Sequence, residues 1–216
     1  MTALLVGIAG GSGSGKTALA EGVAAALPAG QAAVLPADAY YRDLGHLPPE
    51  ERVRRNFDEP DALEGERLAS DISRLRQGEA IERPAYDFAT HARLPEPLPV
   101  AARPVVLVEG IFVLAIPAVR KLLALKVFVT ASEPTRLARR MSRDVGERGR
   151  TRDSVVAQFA RQTRPMHERH VAPSQAWADL VVSGEEELAQ SVARVSERIR
   201  RLLNADCQGL TYRSMA

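Results

Sequence analysis

The chain has 216 residues, 45% hydrophobic and 26% charged, the proportions of one soluble globular domain. Its 29 basic and 27 acidic residues leave a net charge of +2, which gives no general pull toward nucleic acid. No apolar run nears the ~20 residues of a membrane span, and a single cysteine, Cys207, excludes an internal disulfide. The first residues carry no basic segment ahead of the apolar run, so they read as part of the fold and not as a secretion signal. A lone cysteine suits a reducing compartment, and the expected location is the cytoplasm.

In chain order, residues 4–9 (Leu-Leu-Val-Gly-Ile-Ala) form a short apolar run that predicts a buried parallel strand. Gly10-Gly11-Ser12-Gly13-Ser14-Gly15-Lys16-Thr17 follows and fits G-x-x-x-x-G-K-[ST]. Residues 18–27 are apolar at helical spacing and stop at Pro28. Strand, glycine loop and helix together form a phosphate-binding P-loop: backbone N–H groups turn inward around phosphate oxygens at a helix N-terminus. Lys16 is expected to reach the β- and γ-phosphates of a bound nucleoside triphosphate, and the Thr17 hydroxyl to ligate Mg²⁺.

Residues 31–36 predict a second strand that ends near Asp38. The polar, proline-containing segment 40–60 is too long for a plain connection and marks a functional loop. Asp61 is placed to cap a helix over 62–76, with Leu63, Leu68, Ile72 and Leu75 as its apolar stripe. Residues 81–100 predict a β-hairpin or an extended excursion at the sheet edge. Strands follow at 104–108, delivering Glu109, and at 125–129. Ser132-Glu133-Pro134 reads as an N-cap, an acidic first turn and an early proline, opening an Arg-rich helix that Gly146 and Gly149 interrupt as a hinge pair. A last strand at 179–182 precedes a helix from 185 to about 203. The whole is a single α/β P-loop domain over 1–204, with a hairpin at 81–100 and a lid at 140–175; residues 205–216 read as a flexible tail.

The expected fold is a three-layer α/β/α sandwich around a parallel sheet of about five strands, and ligands of such sheets bind beyond the strand C-termini. The P-loop, Asp38 and Glu109 should therefore meet in one crevice, where carboxylates could hold Mg²⁺ and one could activate an acceptor. Taken alone, either acid is as readily a helix cap or a solvated turn. Arg136, Arg139, Arg140, Arg143, Arg148, Arg150 and Arg152 crowd one stretch. A solvated helix face accounts for Arg136 and Arg139, while the basic residues around the glycines suit a lid that closes over phosphates.

The blocks Asp38-Ala39-Tyr40-Tyr41, Asn56-Phe57-Asp58-Glu59-Pro60-Asp61-Ala62, Tyr86-Asp87-Phe88 with His91, Glu109-Gly110-Ile111, Arg143-Asp144 through Arg150, and Arg164-Pro165-Met166 stand in this order. In that order the chain resembles the uridine–cytidine kinases from residue 4 to about 183. The resemblance implies transfer of the γ-phosphate of ATP or GTP, with Mg²⁺, to the 5′-hydroxyl of uridine or cytidine, with no nucleic-acid or membrane partner and a tendency toward homotetramers. It also implies roles for individual residues. Asp38 would take the hydroxyl proton and help Thr17 and Glu109 hold the metal. Asp58, partnered by Arg140, would accept from the ribose diol. Phe57, Tyr86 and Phe88 would wall the base, and His91, Arg150 and Gln158 would complete its pocket. Lys16, Arg143 and Arg148 would bind the phosphates.

Each aromatic of this set, taken alone, is as well explained by the core, and His91 by an exposed hairpin. His167 and His170 read as solvated and Trp177 as packing. Glu59 departs from the histidine usual to the motif; it would raise the Asp58 pKa, weaken acceptor binding, or point harmlessly to solvent. Two other readings compete: a phosphoribulokinase-like enzyme acting on a phosphorylated metabolite, and a catalytically idle nucleotide-binding module.

Overall fold

A computed structural model describes residues 2–213, with side chains to residue 205. Strands β1 (Leu4–Gly10), β2 (Ala32–Pro36), β7 (Val105–Glu109), β8 (Leu125–Thr130) and β9 (Leu180–Ser183) form one sheet in the order β2-β7-β1-β8-β9. Every pairing in it is parallel. The apolar runs are buried on both faces because alternate residues enter opposite cores. Leu5, Ala9, Val106, Val108 and Phe128 pack to one side, and Leu4, Val6, Ile8, Val105, Leu107 and Val127 to the other. Helix α1 (Lys16–Ala26) and the last helix, α8 (Leu188–Arg213), cover the second face. Helix α3 (Gly65–Arg76) covers the first, burying Leu68, Ile72 and Leu75. This is the expected three-layer α/β fold.

Between these elements lie two one-turn helices, α2 (Pro49–Arg52) and α4 (Pro117–Arg120), and an excursion built from four short strands. Strands β3 (Ile81–Arg83) and β6 (Leu98–Val100) pair antiparallel, as do β4 (Tyr86–Asp87) and β5 (Ala92–Arg93) at its tip, so the segment is the hairpin alternative. Helix α5 (Glu133–Glu147) opens on Ser132, whose Oγ accepts from the Thr135 N–H as the cap motif requires. Helix α6 (Arg152–Gln158) follows. Wide-turn segments Phe159–Thr163 and His167–Val171 then flank the single turn α7 (Arg164–Met166) and complete the lid.

Several boundaries differ from expectation. Asp61 caps nothing: it lies in a 3₁₀ turn, Pro60–Ala62, and α3 begins only at Gly65. Leu63 is held extended and buried by a bridge to Tyr41, so the helix cannot start before it. Gly146 does not break α5, which runs on to Glu147; only Gly149 adopts the left-handed conformation, φ 64°. The last helix starts at Leu188 because Glu185 is held elsewhere, its carboxylate accepting from Ser132 Oγ and Thr135 Oγ1 at the head of α5. At its other end the helix continues to Arg213, into the segment read as a tail, and residues 214–216 lie outside the described residues. Among the described residues no helix is long and apolar enough to cross a membrane.

Candidate active site

The P-loop connects β1 to α1, and Gly15, at φ 98°, is the helix N-cap. Gly13, at φ 80°, has no room for a side chain: a Cβ there would run into the backbone carbonyl of Arg136. Gly184, after β9, approaches the Ser14 carbonyl as closely, so the loop is packed against both α5 and the turn after β9. Lys16 is buried at the head of α1. Thr17 Oγ1 donates to Glu109 Oε2 at 3.2 Å, across 92 residues.

Parallel register sets the acids. Pro36 and Ile8 both pair with Glu109, so β2 and β7 end level while β1 runs two residues further, to Gly10, and Asp38 follows in the 3₁₀ turn Ala37–Tyr40. Burial pushes the Glu109 carboxyl above the ordinary carboxylate range, a shift that Lys16 opposes and Asp38 reinforces. Asp38 Oδ1 is buried without a hydrogen-bond partner. Among the described residues no three His, Cys, Asp or Glu side chains cluster as a complete metal cage. Two under-neutralised carboxylates and a hydroxyl beside a phosphate loop do fit Mg²⁺, which draws its remaining ligands from phosphates and water.

In front of these groups opens a cleft. Ser12, Lys16 and Asp38 line one end, with Arg143 and Arg148 from the lid. Asp58, Arg140, Gln158 and Arg150 line its side, and Phe57, Tyr86, Phe88 and His91 its far wall. Every acceptor-site residue named from the sequence thus faces one space, and Tyr41, to which no role was given, joins them. Phe57 and His91 stack at 4.3 Å with planes 12° apart, and Tyr41 meets Phe57 edge-on at 5.5 Å. Arg148 lies over the Phe88 ring at 4.5 Å.

His91, at φ 53° on the hairpin tip, is buried, not exposed. Its Nε2 lies 3.2 Å from Arg150 Nη2. Because a guanidinium only donates, Nε2 accepts and the ring proton sits on Nδ1. Burial, then Arg150 and Arg148, lower the His91 pKa to about 4, so the ring is neutral at pH 7. Glu59 takes the solvent option: it is exposed and accepts from Asn56 Nδ2 at 2.9 Å.

The lid contains a group that the sequence reading named, in the Arg143-Asp144 block, but gave no role. Asp144 is fully buried and serves four arginines: Arg143 Nη2 at 2.9 Å, Arg150 Nη1 at 3.3 Å, and Arg140 Nε and Arg148 Nη1 at 3.4 Å. Arg140 also donates to Ser12 Oγ at 3.2 Å and shares Gln158 Oε1 with Arg150. The P-loop, the segment after α5 and His91 of the aromatic wall are therefore one polar network. The only trace of Asp144 in the sequence was its place among arginines.

Three other expectations fail on burial. Arg136 is not a solvated residue of the helix face: it is 5% exposed and packs beside Gly11. Arg139, by contrast, is exposed as the helix-face reading expects, though it also donates to the Ser14 and Gly184 carbonyls, at 3.3 and 2.8 Å. His167 is partly buried against the same Gly11, and burial with Arg136 lowers its pKa to about 4. Trp177 does not pack inside; it is 56% exposed, with the Arg120 guanidinium 4.2 Å over its ring. A second cleft is lined by Gly15, Leu19, Arg139, Val182, Gly184 and Leu188 among others. No motif announced it, because it is assembled from α1, α5 and the turn after β9.

Comparison with known proteins identifies the family. The family model described as phosphoribulokinase / uridine kinase family matches residues 5–189. The chain belongs to that family. A relative named uridine kinase from Chloroflexus aggregans is 40% identical over 202 residues, 94% of this chain and 97% of its own length. Another uridine kinase, from Brevibacillus brevis, is 40% identical over 83% of this chain and 84% of its own. The phosphoribulokinase of Rhodobacter spheroides, at 15% identity, superposes with a TM-score of 0.64 over 84% of this chain and 70% of its own, a likeness of fold.

Two outcomes follow from the electrostatics. Asp144→Ala strands four cations around an empty site, and thermal or urea unfolding should show a loss of roughly 3 kcal/mol, as for a broken buried ion pair. The second concerns pH. Folded His91 and His167 stay neutral down to about pH 4, whereas unfolded histidines take up protons near 6.5. Between these values the unfolded chain binds more protons, so stability falls as pH drops from 6.5 toward 4. The melting temperature of a His91→Gln, His167→Gln variant should fall less than that of the wild type between pH 7 and pH 5.

Proposed function

We propose that the chain is a pyrimidine ribonucleoside kinase that phosphorylates the 5′-hydroxyl of uridine and cytidine at the expense of ATP or GTP. The observation that carries the reading is the single cleft shared by the P-loop lysine, the orphaned Asp38, a buried Asp58 and the aromatic wall ending in neutral His91. The 40% identity to chains named uridine kinase, over nearly the whole sequence, supports the same acceptor.

In this reading the base lies against Phe57, Tyr86 and Phe88 with His91 at its edge, and the sugar hydroxyls donate to Asp58. Asp38 holds the 5′-hydroxyl and accepts its proton as the oxygen bonds to the γ-phosphorus. The bridging β–γ P–O bond breaks and the nucleoside diphosphate leaves. Lys16, Arg143 and Arg148 spread positive charge over the phosphoryl oxygens, an electrostatic task more than a covalent one. Thr17, Glu109 and Asp38 would hold Mg²⁺, which when bound neutralises charge on the transferred group. The second cleft, apolar with Arg139 at its edge, suits the donor purine, since it opens beside Gly15 on the far side of the phosphates.

The reading is tested by following nucleoside diphosphate release from Mg-ATP with uridine, cytidine, adenosine and ribulose 5-phosphate offered separately. Turnover with the two pyrimidine nucleosides alone is expected; turnover with ribulose 5-phosphate alone would return the acceptor to the phosphorylated-metabolite alternative. Asp38→Asn should lower kcat by about two orders of magnitude or more while calorimetry finds ATP affinity nearly unchanged. An equal loss of ATP affinity would make Asp38 a structural residue.

A further inference from the structure

We infer that Thr163, a lid residue, sets the sugar selectivity of the acceptor site by holding Asp58. The inference rests on reading Asp58 as the acceptor of the ribose hydroxyls. Thr163 is 2% exposed and Asp58 7% exposed, and Thr163 Oγ1 lies 2.9 Å from Asp58 Oδ2, 105 positions away in sequence. Since the carboxylate only accepts, the threonine proton is committed to it. The other oxygen, Oδ1, stands 3.8 Å from Arg140 Nη1, beyond a hydrogen bond. The Asp58 backbone is held as well, its N–H donating to Asn56 Oδ1 at 3.1 Å.

The two oxygens of Asp58 are therefore unequal. One is fixed by a buried neutral donor, while the other has only a loose ionic neighbour. Fixing Oδ2 stops the carboxylate from turning about its Cβ–Cγ bond, so the acceptor positions it offers to the cleft are set before the nucleoside arrives. A ribose fills them with two donors. A 2′-deoxyribose fills them with one, and a clamped carboxylate cannot rotate to recover the lost bond. Without the clamp the carboxylate is free to swing toward Arg140, and the missing hydroxyl costs less.

Place in the fold adds a second consequence. Thr163 ends the wide-turn segment Phe159–Thr163 that continues directly from α6, whose last residue is Gln158. Gln158 holds Arg140 and Arg150, so the sugar-reading carboxylate and these two arginines of the sugar and base pocket are tied to one lid segment. Thr163 touches no expected reacting atom; it is a positioning residue for specificity.

Steady-state kinetics of the wild type, Thr163→Val and Thr163→Ser with uridine and 2′-deoxyuridine test this. The wild type should prefer uridine. Thr163→Val, nearly isosteric but without the donor, should lower the ratio of the two kcat/KM values about tenfold, mainly through uridine, with KM for ATP within about twofold of wild type. Thr163→Ser should restore the ratio. A folded Thr163→Val whose ratio stays within about twofold overturns the inference, and so does an equal loss with both sugars, which marks a structural role. If Thr163→Val does not fold, Thr163→Ala is judged by the same two criteria. A wild type that uses both sugars alike overturns the reading of Asp58 itself, and the inference falls with it, before any variant is compared.

Discussion

Strands β2, β7 and β1 run parallel in fixed register, and on that constraint the site depends. The register that sets Pro36 and Ile8 beside Glu109 carries the P-loop, Asp38 and Glu109 to one rim without any of them being near another in sequence. Parallel strands buried on both faces tolerate little slippage, since each residue is committed to one of two cores. Chemistry at the rim therefore inherits its precision from apolar packing beneath. Burial supplies the electrostatic demand as well, because carboxylates at the edge of a dry sheet are short of positive charge until a cation or a phosphate-bound metal arrives.

The lid has the opposite composition, and a different logic holds it. Helix α5 and the turn after it offer almost no apolar surface on the site side; they are arranged around Asp144. A carboxylate at the centre of four guanidinium groups offsets their mutual repulsion and leaves their outer donors turned toward the cleft. Arg140 and Gln158 extend the arrangement to Ser12 on one side and to His91, through Arg150, on the other. The P-loop and the aromatic wall are thereby linked through hydrogen bonds and ion pairs, not through a shared hydrophobic core.

Legibility in the sequence followed the range of the interaction concerned. The P-loop, the apolar strands and the Ser132 cap rest on contacts within a few residues, and each was readable from local pattern. Boundaries failed where a distant partner intervened: Leu63 is held extended by Tyr41, and Glu185 is tied to Ser132 and Thr135. Burial of polar groups was the other blind spot. Arg136 and His167 look like surface residues by type, yet both lie against Gly11, where the absent side chain makes room for them.

By itself the sequence determined the three-layer fold, the phosphate loop and the residue types of the acceptor cleft, because periodicity, glycine spacing and motif order are properties of the linear chain. Tertiary structure alone decided that Asp144 gathers the lid arginines, that Thr163 clamps Asp58, that Arg150 assigns the His91 proton to Nδ1, and that a second cleft opens beside Gly15. Each of these needs two or more segments brought within hydrogen-bonding distance. Thr163 and Asp58, 105 residues apart, acquire a relation only when the lid folds over the sheet.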